Sequence, residues 1–94
     1  MSMSKPYKNV FEAIEDDSVV AENMRLRAKL MVKLRNYIKQ QGMTQEEAAR
    51  RMGVTQPRIS DLVRGKIDRF TIDMLVNMLS HAGIHVELVA DQAA

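Results

Sequence analysis

The sequence predicts an all-α fold of four to five helices with a single β-strand near its C-terminal end. Three observations carry that expectation. First, 46% of the residues are hydrophobic and only 4% aromatic, with eight methionines. A core built from Leu, Ile, Val, Ala and Met suits packed helices. Second, Val20, Met24, Ala28, Met31, Leu34 and Ile38 recur at spacings of three and four, the period of a helix face. Third, the stretch from Thr44 to Gly65 holds two helix starts, a glycine between them and a helix stop. At 94 residues the chain has room for one small domain. Composition divides it into a disordered tail at residues 1–8, a helical domain at 9–83, a strand at 84–89 and a frayed end at 90–94.

In chain order, Pro6 discourages helix in the polar tail. Asn9 is placed to cap a short helix from Val10 to Glu15, with Phe11 and Ile14 inward. The acidic run Glu15-Asp16-Asp17 closes it, and Asp17 or Ser18 caps the next helix. That helix runs from about Val19 to Gln41, its apolar face widened by Leu26, Leu30 and Tyr37. Acidic residues precede it and basic residues fill its body, an order that suits the helix dipole. Gly42 stops it.

Thr44 and Glu47 form a capping box for a short helix from about Gln45 to Met52. Gly53 supplies a tight turn in left-handed backbone, where a residue without Cβ costs least. Thr55 then caps a second helix with Pro57 in its first turn, where a missing N–H does no harm. Gly65 ends it. Two short helices across a glycine turn read as a helix-turn-helix. Ala48, Ala49, Met52, Val54, Ile59, Leu62 and Val63 are expected to face one core. Gln56, Arg58, Ser60, Asp61 and Arg64 are then left outside, a polar set suited to a DNA groove.

Lys66-Ile67-Asp68-Arg69 reads as a loop anchored by Ile67 and Phe70. Thr71 caps a last helix, about Ile72 to His81, with Ile72, Leu75, Val76 and Leu79 as its buried stripe and Phe70 with Leu75 as a hydrophobic staple. Past Gly83 the period changes. Ile84, Val86 and Leu88 alternate with His85 and Glu87, which reads as a strand. A lone strand leaves its backbone groups unpaired, so pairing with the same strand of a second copy is expected, giving a homodimer through Ile84, Val86 and Leu88. Packing of this segment on its own domain is the alternative.

The net charge is only +2, but it is unevenly spread. Six basic residues and no acidic one lie between Arg25 and Lys39, and six more lie between Arg50 and Arg69 against Asp61 and Asp68. From Phe70 onward there is no Lys or Arg. A one-sided basic surface suits nucleic acid, although the first run by itself better suits a solvated helix. With no cysteine, disulfides, thiolate metal sites and a Cys nucleophile are excluded. His81 and His85 are separated by the Gly83 stop, so no zinc site is expected. Glu46-Glu47 and Glu15-Asp16-Asp17 belong to helix starts and not to a pocket, so no enzyme activity and no cofactor are expected. No apolar run reaches the length of a membrane span. The N-terminal residues lack a signal-peptide apolar core, and a cytoplasmic, nucleoid-associated protein is the expectation.

The fragments Met-Thr-Gln-Glu-Glu-Ala-Ala (43–49) and Met-Gly-Val-Thr-Gln-Pro-Arg-Ile-Ser-Asp-Leu-Val-Arg-Gly-Lys (52–66) resemble the Cro/repressor-type, or XRE-like, helix-turn-helix regulators. Asn9-Val10-Phe11, the long helix, Phe70-Thr71 and the stretch from Gly83 to Leu88 extend the resemblance to a subgroup of small antitoxins. These are the HigA-like proteins encoded beside RelE/HigB-type toxins. The resemblance implies a dimer bound to palindromic operators in double-stranded DNA. It implies that Gln45 grips a phosphate and that Gln56 reads a base, commonly adenine. Pro57 and Asp61 stand where some phage repressors carry longer base-reading side chains, so this chain departs from their base code.

Read from chemistry alone, Thr55, Arg58, Arg64 and Lys66, with Arg69, offer polar or cationic contacts to phosphate. Gln56, Ser60 and Arg58 are the best base-edge candidates. Each has a plainer role open to it. Thr55 caps its helix in any case, Arg58 or Arg64 can pair with Asp61, and Ser60 can be a spacer. The expected function is a dimeric DNA-binding repressor. Its alternative is an antitoxin that neutralises a toxin protein and regulates its own operon. An RNA-binding role would call for aromatic stacking surfaces that four aromatic residues scarcely supply.

Overall fold

A computed structural model describes residues 17–92. Its order is α1 (Asp17–Gln41), α2 (Gln45–Met52), α3 (Gln56–Val63), a 3-10 turn (Ile67–Arg69) and α4 (Ile72–His81). The expected short helix from Val10 to Glu15 lies outside the described residues, as do Phe11 and Ile14. The long helix begins two residues before Val19, with the Asp17 carboxylate in its first turn.

α1 packs along α4, and α2 sits between α3 and α4. The core gathers Met31, Leu34 and Ile38 of α1, Ala48, Ala49 and Met52 of α2, Ile59 and Leu62 of α3, and Phe70, Leu75, Met78, Leu79 and Ala82. No polar or charged residue is buried among the described residues. The small Ala48 and Ala49 side chains let α2 approach its neighbours closely, and both are buried. Phe70 and Leu75, the expected staple, are buried in the same cluster.

Helix ends follow one device. The amides of Met43, Val54 and Ile84 each bond back five residues, to the carbonyls of Ile38, Ala49 and Leu79, at 3.1, 3.0 and 2.9 Å. Each of the three follows a glycine, and each packs against the core. This closes the helix and turns the chain inward in one step. At Gly53 the backbone is left-handed (φ 71°, ψ 32°), and its amide bonds to the Ala49 carbonyl. A Cβ there would lie 3.1 Å from the His81 ring.

Several expected core positions differ. Val63 is exposed, because α3 turns Ile59 and Leu62 inward and places Val63 about 100° from Leu62. On α4 the buried stripe is Leu75, Met78, Leu79 and Ala82, whereas Val76 is exposed and Ile72 half-buried. On α1, Val20 and Met24 continue the Met31–Leu34–Ile38 stripe but are exposed. In the region from Lys66 to Arg69, expected to be a loop, Ile67–Arg69 form a 3-10 turn.

The expected strand is absent. Residues 84–89 carry no strand assignment, and no strand occurs among the described residues. Ile84 packs against the core, but Val86 and Leu88 are exposed, Leu88 at 89%. A strand is defined by its ladder partner, and the described residues offer none. The alternation therefore reports side-chain preference without pairing.

Gly53→Ala combines left-handed strain, about 1–2 kcal/mol for an L-residue, with crowding by His81. We expect thermal unfolding to show a Tm lower by roughly 5–15 °C for a domain of this size. Adding His81→Ala should recover only part of that decrease.

Candidate nucleic-acid interface

Local chemistry builds the helix pair as its sequence dictates. The Glu47 amide donates to the Thr44 hydroxyl at 3.1 Å, and the Thr44 amide donates to the Glu47 carboxylate at 2.9 Å, completing the capping box. Thr55 accepts from the Arg58 amide at 3.4 Å and so caps α3. Pro57 occupies the first turn. The plainer role weighed for Thr55 is thus filled, and its exposed position leaves it at the outer surface as well.

α3 has eight residues, and its period sorts them. Ile59 and Leu62 are buried beneath it. Gln56 and Ser60 fall at i and i+4, and Arg64, the C-cap just past the helix end, continues their row along the side away from Leu62. Pro57 shares that side and, like Gln56 and Arg64, is exposed, while Ser60 is half-buried. Gln45 begins α2 and is half-buried. Lys66, half-buried, follows α3 across Gly65, its amide bonded to the Asp61 carbonyl at 3.0 Å. The side chains of Arg64 and Lys66 enter no ion pair among the described residues. Arg64 is thus a free cation at the end of the line, and Lys66 a second one beyond it.

Arg58 and Asp61 are differently placed. The Arg58 guanidinium donates to the Arg69 carbonyl at 3.0 Å and lies 5.4 Å over the centroid of the Phe70 ring. It also stands 3.9 Å from the Asp61 carboxylate, which in turn meets Arg69 at 3.5 Å. The Asp61 side chain is only 16% exposed. Both residues therefore face the 3-10 turn and the start of α4. From the other side, Arg27 of α1 donates to the carbonyls of Ile67 and Phe70 at 3.1 and 3.3 Å. Nothing in the local pattern of the sequence signals this node, because its members lie up to 43 residues apart.

The remaining basic charge is spread over the helix surfaces. The Arg25 fork grips Glu22 at 3.1 and 2.6 Å, and this hydrogen bonding holds the Glu22 carboxyl below the usual carboxylate range. Arg50 pairs with Glu46 at 3.4 Å, and Arg51 donates to the Tyr37 hydroxyl at 2.6 Å. Exposed pairs of this kind contribute little to stability. His85 meets only Glu87, at 3.2 Å, in an exposed pair. No group of three or more His, Cys, Asp or Glu that could hold a metal occurs among the described residues. No helix among them is long and apolar enough to cross a membrane.

Residues 13–91 match a protein family described as a helix-turn-helix domain. Among solved structures, one provisionally named an XRE family transcriptional regulator superposes with a TM-score of 0.72 at 29% identity. The alignment covers 78% of this chain and 82% of the other. No curated protein matches the chain.

Thr55→Ala should lower the free energy of unfolding by about 1 kcal/mol by removing the cap, measurable by thermal or denaturant unfolding of the protein alone. Unchanged stability would show that the long Thr55–Arg58 bond contributes nothing.

Proposed function

We propose that this chain, which belongs to the helix-turn-helix domain family, is a DNA-binding transcriptional regulator that reads duplex DNA with α3. The observation that carries this reading is the row Gln56–Ser60–Arg64 along the outer side of α3 and its C-cap, with Pro57 beside it. Arg64 ends that line as a free cation, and Lys66 adds a second just beyond Gly65. The 0.72 superposition on a chain named as an XRE family regulator supports it.

The roles divide by chemistry. The Gln56 amide can donate to and accept from adenine in the major groove. Ser60 lies one turn further along the same side. Pro57 offers only apolar contact, suited to a thymine methyl. Gln45 and Thr55, at the starts of α2 and α3, sit where first-turn amides can hold phosphates. Arg64 and Lys66 supply charge to the DNA backbone. As a repressor, the protein would act by occupying an operator across a promoter.

Selection of bound duplexes from a random pool tests this directly. We expect a palindromic site with half-sites about 34 Å apart, one helical turn. Gln56→Ala should cost about 1–3 kcal/mol and relax preference at one base pair per half-site. Arg64→Ala or Lys66→Ala should weaken binding to all sequences and reduce the salt slope by about 0.9 for each phosphate that is no longer neutralised. Wild-type protein that enriches no duplex would overturn the reading.

A palindromic site requires two copies. The exposed Val86 and Leu88 support association through residues 84–89. Deleting residues 84–94 should convert a dimer to monomers in sedimentation; an unchanged dimer would refute this mode of association. A second reading, an antitoxin that also binds a RelE/HigB-type toxin, draws on the exposed Val20 and Met24 of α1. Co-purification with a small basic toxin encoded alongside would favour it, and a harmless neighbouring gene product would count against it.

A further inference from the structure

We infer that Arg58 and Asp61 are specificity residues that act without touching DNA, by setting the angle at which α3 meets the rest of the domain. The inference rests on the DNA-reading function proposed above. It concerns how the reading helix is held, whereas that proposal concerns what the helix reads.

α3 is held from below by only two fully buried side chains, Ile59 and Leu62. They share one side of the helix, so they resist its separation from the core better than its rotation about its own axis. Rotation by a few tens of degrees would move the line Gln56–Ser60–Arg64 across the groove. A second attachment at a different angle removes that freedom. Arg58 provides it, lying on the flank next to Leu62 at the i+4 position. Its guanidinium is planar and presents several donors. One of them takes the Arg69 carbonyl at 3.0 Å while the plane lies over Phe70, itself 2% exposed and part of the core. Arg58 is thus anchored to backbone and to a buried ring at once.

Asp61 completes the arrangement. It stands between Arg58 at 3.9 Å and Arg69 at 3.5 Å, so its negative charge is matched by two guanidinium groups. On an unattended reading helix that carboxylate would repel phosphate. Here it is turned toward the cations of the node. The anchor itself is fixed independently by Arg27, which holds the Ile67 and Phe70 carbonyls at 3.1 and 3.3 Å from the long helix. The chain of attachment therefore runs from α1, through the 3-10 turn, to α3.

The test uses the full chain with Arg58→Ala, Arg58→Lys and Asp61→Asn. In the protein alone, amide hydrogen exchange should be several-fold faster across α3 and at Arg69 and Phe70 in both Arg58 variants. Lys keeps the charge but lacks the planar fork. Exchange rates equal to wild type would overturn the inference whether or not DNA is bound. With the duplex enriched by wild-type protein, Arg58→Ala and Arg58→Lys should relax preference at several base pairs of the half-site together. The dependence of affinity on salt should stay unchanged. Relaxation at one base pair only, or a salt slope smaller by about 0.9, would make Arg58 a direct contact and overturn the inference. If Arg58→Ala reduces helicity overall, Asp61→Asn carries the comparison. It should shift exchange and preference in the same direction by a smaller factor, and no shift in either would overturn the inference. Failure of wild-type protein to enrich any duplex refutes the function proposed above. The exchange measurement still decides whether Arg58 holds α3.

Discussion

Burial of Ile59 and Leu62 is the contact on which the reading surface depends. A helix of eight residues is far too short to persist alone in water. α3 exists because those two side chains join a core already assembled by Leu34, Met52, Leu75 and Leu79, all fully buried. Every exposed side chain on its outer side is positioned relative to that contact. The same dependence holds for α2, whose eight residues are secured through Ala48, Ala49 and Met52.

The glycine-closed helix ends explain how such short elements fit around one core. A helix that ends in a left-handed residue followed by an apolar one sends the chain back toward the interior at once. Met43, Val54 and Ile84 each use this turn and each lands on the core. Connections stay short, and little backbone is left without a hydrogen-bond partner. Between α2 and α3 this produces the angle that defines the motif, with His81 of α4 packed against the turning glycine.

Basic charge in this protein has two uses. Arg64 and Lys66 stand without ion-pair partners among the described residues, beside the outer side of α3. Arg27 and Arg58 point the other way and take backbone carbonyls around the 3-10 turn. Counting basic residues along the chain cannot separate these uses. Asp61 illustrates the same point from the acidic side. Read on its helix it is an obstacle to DNA, and in the folded chain it is a partner for two arginines.

Local features are legible in the sequence because their causes are local. Thr44 with Glu47, Thr55 with Pro57, Thr71 and the glycines at 42, 53, 65 and 83 mark helix boundaries through bonds within a few residues. The motif and its outward polar set follow from those boundaries and the helical period. Tertiary packing decided what spacing alone leaves open: which edge of an apolar stripe is covered. Val63 and Val76 carry the same side-chain chemistry as buried positions, yet both lie exposed at the margin of their helices. Alternation at Ile84, Val86 and Leu88 reads as a strand, but a ladder needs a second strand, and none occurs among the described residues. The roles of Arg27, Arg58 and Asp61 were set only in three dimensions, because residues distant in sequence share one turn of backbone.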